Sequence, residues 1–109
     1  MEEKKVIYNV TVKIEKDSES KWVRWMRETH IPDVLATNSF LGAKLNKILF
    51  LDESDGITYT VQYESQDMKT LDRYHKEFAS ELQKDLVTNF KDKYVAFRSI
   101  MEVQEEFNQ

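Results

Sequence analysis

Hydrophobic and polar residues alternate in four segments of this chain, and the alternation predicts four β-strands at residues 5–14, 40–51, 57–64 and 94–104. Two other segments place apolar residues every three or four positions, which predicts one helix at 18–30 and a longer one at 68–90. A polar loop that ends at Gly56 separates the second and third strands and predicts a hairpin.

The order strand, helix, strand, strand, helix, strand is the split βαβ arrangement. It predicts an α+β protein with the ferredoxin-like βαββαβ fold: a four-stranded antiparallel sheet with two helices on one face. At 109 residues the chain is expected to form one domain, 1–109, large enough to bury a core without disulfides or metals.

The first helix carries both tryptophans and ends beside the only proline. At 100° per residue Trp22, Trp25 and His30 share one face, and Pro32 is expected to end or kink the helix just after His30. A side chain at such a break can face a cavity, so His30 is the candidate general acid or base. The alternative is structural: the tryptophans are core, and His30 is a satisfied histidine near a helix end.

A second group of rings is predicted at the same end of the domain. In a ferredoxin-like fold the end of the first helix meets the beginning of the second, which places His30 and His75 beside Tyr8 and Tyr63. These rings, with Trp22 and Trp25, are the candidate ligand-binding residues. His75 lies within the apolar stripe of its helix, so a hydrogen-bonded cluster with only a structural role is the competing interpretation.

The outer face of the sheet is predicted to be too apolar for solvent and too polar for a sealed core. We assign to it these residues: Ile7, Asn9, Ile48, Phe50, Thr60, Gln62, Tyr94, Arg98 and Ile100. Two-fold pairing is the commonest way to cover such a face. A homodimer is therefore expected, with Asn9, Ile48, Gln62 and Arg98 in its interface.

The composition of the chain argues against several classes of partner and catalytic site. Sixteen basic and twenty acidic residues give a net charge of −4 with no clustered basic segment, so nucleic acid is not an expected partner. There is no apolar run long enough to span a bilayer and no signal-peptide pattern, and the expected location is cytoplasmic. The absence of cysteine excludes thiolate catalysis, and two histidines provide little material for a metal site, so neither metal nor cofactor is expected.

Several segments also resemble a known group of proteins. The stretch Trp22-x-x-Trp25-Met26-x-x-x-His30-Ile31-Pro32, together with segments 8–11, 56–63 and 95–98, resembles a small bacterial domain of unknown function. That domain belongs to the dimeric α/β-barrel superfamily, with the antibiotic-biosynthesis monooxygenases, the EthD-like proteins and the stress-responsive dabb proteins. The resemblance implies a homodimeric barrel with a small-molecule cleft between each sheet and its helices, and a role for His30 in that cleft.

Two functions remain open. The first is a homodimeric protein that binds a small aromatic or polyketide-like ligand near His30, with no assigned chemistry. The second is a cofactor-independent enzyme, resembling a monooxygenase, cyclase or isomerase, in which His30 is the acid or base and Tyr8 and Tyr63 bind a substrate oxygen.

Overall fold

The computed structural model describes residues 3–109. Its four strands are β1 (Val6–Ile14), β2 (Gly42–Lys47), β3 (Ile57–Ser65) and β4 (Tyr94–Glu102). Its α-helices are α1 (Glu19–Trp25), α2 (Ile31–Leu35), α3 (Met68–Glu77) and α4 (Ala79–Phe90). The strands form one antiparallel sheet in the order β2-β3-β1-β4. This is the ferredoxin-like arrangement, so the predicted fold is confirmed.

One face of the sheet packs against the helices to form the core. Alternate residues of β1 and β3 point to this face because successive strand side chains lie on opposite sides. Tyr8 pairs with Tyr63 and Val12 with Tyr59, and all four are buried. They pack in one hydrophobic cluster with these helix residues: Trp22, Met26, Val34, Leu71, Tyr74, Leu86 and Phe90.

The sequence predicted that the helix after β1 ends or kinks just after His30, and the structure shows that it does not end there. It continues from α1 into α2 through a π-helical turn, Met26–His30, in which the Ile31 N–H donates to the Met26 carbonyl. Pro32, which has no N–H to donate, follows this turn as the second residue of α2. His30 is therefore the last residue of a π-helical turn, and such turns are frequent at functional sites.

The helical segment after β3 begins where the sequence predicted but is not continuous. The Asp67 side chain caps α3 by accepting a hydrogen bond from the Thr70 N–H at 2.7 Å. The helix then breaks at Phe78, whose φ of −127° and ψ of −34° separate α3 from α4. None of the helices within residues 3–109 is long and apolar enough to cross a membrane.

Three β4 residues, Tyr94, Arg98 and Ile100, were assigned from the sequence to the outer face of the sheet, and the structure corrects this assignment. Val10 pairs with Arg98, Tyr8 with Ile100 and Ile14 with Tyr94, so the three β4 residues point toward the helices. Alternation defined two sets of β4 residues but did not show which set faces the helices. The outer face of β4 carries Val95, Phe97 and Met101 instead.

The loop between β2 and β3 also differs from prediction. β2 ends at Lys47 rather than near residue 51, and Leu49, Phe50 and Leu51 are exposed. Phe50 has a φ of 60°, a left-handed conformation that breaks strand geometry. The predicted turn glycine, Gly56, has a φ of 147°, which L side chains rarely adopt.

Candidate functional site

A small cavity lies between the helices and the sheet and has a volume of about 30 Å³, enough for about one or two water molecules. Its polar lining comes from β1, the α1–α2 segment, β3, α3, α4 and β4. The polar and aromatic lining residues are Tyr8, Trp22, His30, Tyr63, Tyr74, Gln83 and Arg98. Aliphatic side chains and Met26 complete the wall, so the cavity combines an apolar surface with several groups that can form hydrogen bonds.

Three tyrosines form the centre of the site. The ring centroids of Tyr8 and Tyr63 are 6.0 Å apart, and those of Tyr8 and Tyr74 are 6.1 Å apart. Burial raises the pKa of Tyr63 and of Tyr74 well above the usual value for a phenol, because the phenolate loses hydration. Both hydroxyls stay protonated at neutral pH and can donate hydrogen bonds into the cavity.

His30 is placed by Trp25, which lies behind it. The two rings are stacked, with centroids 4.8 Å apart and an interplanar angle of 23°. Burial lowers the pKa of His30, and the positive charge of Arg98 acts in the same direction, while Asp33 and Asp85 oppose the shift. The imidazole is therefore neutral at pH 7 and can accept a proton.

Arg98 lies at the edge of the cavity and organises one of the tyrosines. Its Nε donates a hydrogen bond to the Tyr8 hydroxyl at 3.0 Å, and its side chain is exposed on the edge strand β4. Gln83 of α4 is half-buried and lines the same cavity. Arg98 is the one exposed residue among the described residues that line the cavity.

Trp22 contributes an unusual polar group. The residue is fully buried and packs on Tyr59, with ring centroids 5.1 Å apart. Its indole Nε1 is buried and has no hydrogen-bond partner among the described residues. A buried unpaired donor costs free energy, about 1–3 kcal/mol, so an acceptor in the adjoining cavity would stabilise it.

The structure separates the predicted site residues into two groups. His30, Tyr8, Tyr63 and Trp22 line the cavity. Trp25 does not line it, since it supports His30 from behind. His75 does not line it either: its ring meets the Tyr8 ring edge-on at 5.0 Å. His75 is half-buried rather than central to the apolar stripe, because the neighbouring Tyr74 takes the buried position on α3.

Among the polar and aromatic residues that line the cavity, three were not assigned to the site from the sequence: Tyr74, Gln83 and Arg98. Tyr74 was detectable, because it follows the fully buried Leu71 by three positions on the same helical face. Arg98 was recognised as a candidate but placed on the outer face. No signal identified Gln83, which lies in α4 beyond the break at Phe78 that the sequence did not predict.

Two of the four predicted interface residues lie on the outer face of the sheet, as expected. Asn9 and Gln62 pair across β1 and β3 on this face, and Ile48 lies just beyond β2, where its N–H donates to the Thr58 carbonyl. Arg98 is absent from this face, as the β4 register requires. The same face carries Phe97, which is 64% exposed.

A groove of about 260 Å³ crosses the other end of this face beside Leu41 and Gly42. Within residues 3–109, no three histidine, aspartate or glutamate side chains are grouped so that they could hold a metal ion.

Comparison with known proteins identifies the family and the fold. A sequence profile of the family described as "Domain of unknown function (DUF4286)" matches residues 5–104. The chain matches none of the curated proteins. A dimeric ferredoxin-like protein from an uncultured marine organism has a similar structure, with a TM-score of 0.76, 13% identity, and coverage of 96% of this chain and all of that one.

Two further solved structures share the fold. An EthD-like protein from Ralstonia eutropha superimposes with a TM-score of 0.70 and 12% identity, and 96% of each chain is covered. A variant of SnoaB, a cofactor-independent oxygenase from Streptomyces nogalater, has a TM-score of 0.64 and 9% identity, covering 97% of this chain and 99% of that one. At these identities the likeness concerns the fold.

Proposed function

This chain belongs to the DUF4286 family of domains of unknown function, and we propose that it binds a small organic molecule between its sheet and its helices, beside His30. One observation carries the proposal. Trp22, whose buried indole N–H has no hydrogen-bond partner among the described residues, lines a cavity together with three tyrosines. A ligand oxygen within hydrogen-bond distance of this N–H would satisfy the donor.

The size of the cavity limits how the ligand binds. A volume of about 30 Å³ is far below the ~300–1,000 Å³ of typical ligand pockets. A wider groove of about 620 Å³ lies on the surface of α4, and Gln83 lines both spaces. We therefore propose that a polar group of the ligand enters the cavity while its larger apolar part lies in the groove, with Gln83 between them.

Thermal denaturation with a panel of planar aromatic acids, phenols and amides tests this proposal. A ligand at one hundred times its Kd stabilises the folded protein by ~2.7 kcal/mol, which gives a measurable rise in Tm. Tyr63→Phe, which removes one cavity hydroxyl, should weaken binding. Tyr94→Phe is the matched control, because Tyr94 lies at the other end of the sheet and does not line the cavity. Failure of every compound to raise the Tm would contradict the proposal.

A second function, proton abstraction from the bound molecule, is favoured by the state of His30. An imidazole whose pKa is lowered by burial is neutral and can act as a general base toward an acidic C–H or O–H of the ligand. The proton would move to the unprotonated ring nitrogen. Deuterium exchange at an activated C–H of the ligand, followed by NMR, would detect this step. His30→Gln should stop the exchange while binding persists, and unchanged exchange would exclude His30 as the base.

We also propose that two copies associate through the outer faces of their sheets. Val95, Phe97 and Met101 expose apolar surface there, and strands rarely leave such surface uncovered. The similar marine protein is described as dimeric, which supports association in pairs. Sedimentation of the purified protein tests the proposal, since a monomer at tens of micromolar would argue against a specific dimer.

A further inference from the structure

We propose that the ligand of this cavity is an anion, and that a carboxylate or enolate oxygen of the ligand binds the guanidinium of Arg98. This inference rests on the proposed function, because it concerns the same cavity. It adds the charge of the ligand and the residue that recognises it.

The first argument is the charge of the cavity wall. Arg98 is the one formally charged residue in the described lining, and no aspartate or glutamate belongs to that lining. The protein as a whole is acidic, with a net charge of −4. Asp33 and Asp85 affect His30 electrostatically but do not line the cavity. An exposed cationic side chain in the wall of an otherwise uncharged cavity is complementary to an anion.

The second argument is the geometry of Arg98. Its Nε donates to the Tyr8 hydroxyl at 3.0 Å, which fixes the orientation of the planar guanidinium. The two terminal nitrogens together carry four more N–H groups, and they form the end-on fork that pairs with a carboxylate through two parallel hydrogen bonds. No carboxylate within residues 3–109 forms an ion pair with Arg98. Because the side chain is exposed, it can accept a ligand without first breaking a buried ion pair.

The third argument is the excess of hydrogen-bond donors behind Arg98. Burial keeps the hydroxyls of Tyr63 and Tyr74 protonated, and the Trp22 indole can only donate. Such a wall is complementary to a ligand rich in acceptor oxygens. Beyond Gln83 the groove adds Lys84, whose ammonium lies 3.4 Å from Glu81. The groove therefore does not add a net negative charge that would repel the anion.

The test uses two matched probes of nearly equal shape, 2-naphthoate and 2-naphthamide, titrated into the full-length protein by NMR or calorimetry. We expect the carboxylate to bind at least about tenfold more tightly than the amide, because charge-assisted bidentate hydrogen bonds exceed neutral ones. Arg98→Gln should remove this preference. Arg98→Lys keeps the charge without the planar fork and should retain only part of it. Arg24→Gln, an exposed arginine of α1 outside the cavity, is the control and should behave like the wild type.

The outcomes distinguish the inference from the proposed function. If the amide binds the wild type as tightly as the carboxylate, or if Arg98→Gln still prefers the carboxylate, the inference is wrong although the binding function stands. If neither probe binds the wild type at millimolar concentration, both fail. An equal loss of preference in Arg24→Gln would show that overall charge, not Arg98, attracts the anion, and would also overturn the inference. Wild-type discrimination tests the inference even if a substitution prevents folding.

Discussion

Replacing Phe97 with serine is predicted to dissociate the proposed dimer. An aromatic residue can bury ~150–250 Å², and the 64% of Phe97 that is exposed corresponds to roughly 100–160 Å² in each copy. Covering that area stabilises an interface by about 2.5–4 kcal/mol per copy at ~25 cal/mol/Å². This value is an upper bound on the contribution of the ring to association. Replacing a central aromatic residue of an interface typically weakens the binding free energy by about 2–4 kcal/mol. Each dimer loses two rings, so the Kd should rise by at least about 10²-fold.

The change is measured by sedimentation velocity over a concentration series from about 1 to 100 μM, the range in which specific dimers form. The monomer mass is 13.0 kDa, so monomer and dimer are well separated. Phe107→Ser is the matched control. Phe107 is 84% exposed in the segment after β4 and lies outside the sheet, so its loss should leave the dimer intact.

Two results would refute the reasoning. If Phe97→Ser associates as tightly as the wild type, the outer face of β4 is not in the interface. If Phe107→Ser dissociates the dimer equally, association depends on the C-terminal segment and not on the sheet. At concentrations below the Kd of the wild-type dimer, the denaturation curves of both variants should match that of the wild type, because an exposed ring contributes little to folding.

Three further predictions concern stability. Burial lowers the pKa of His30 in the folded state, so the imidazole of the unfolded chain binds its proton at a higher pH. The free energy of unfolding should therefore fall as the pH drops below about 6.5, the usual pKa of histidine. The fall should be smaller in His30→Gln, and urea titrations at several pH values measure it. Tyr74→Ala should destabilise by about 3–5 kcal/mol because the ring is 3% exposed, whereas half-buried His75→Ala should cost less; equal losses would contradict this placement. Gly56→Ala should cost about 1–3 kcal/mol or more, measured by the same titration, since its Cβ would lie 2.7 Å from the Ile14 carbonyl oxygen at a φ of 147°.

The order of elements was predictable because each strand and helix carries its own periodicity. β3 shows this best: Tyr59, Val61 and Tyr63 alternate with polar residues, and all three are buried as expected. The periodicity of β4 was equally clear, yet its orientation was assigned wrongly. Both of its faces contain apolar residues, and Phe97 on the outer face resembles a core residue in the sequence. Pairing with β1 decides the orientation, and that pairing is a long-range property.

The candidate site was predictable only as a region. The ferredoxin-like order indicates which ends of the elements meet, and it brought Tyr8, Tyr63 and His30 to one cavity. It did not indicate Gln83 or the true position of Arg98. These residues depend on the break at Phe78 and on the register of an edge strand. Both arise from tertiary packing, which a local pattern does not encode.

The π-helical turn explains how His30 comes to line the cavity although the helix does not end beside it. Proline was expected to end or kink the helix just after His30. The helix continues instead, and the extra residue of the π turn shifts the helical phase between Trp25 and Ile31. At 100° per residue Trp25 and His30 lie at opposite edges of the predicted apolar face, yet the two rings stack with their centroids 4.8 Å apart. The π-helical turn thereby places a neutral imidazole in the cavity wall.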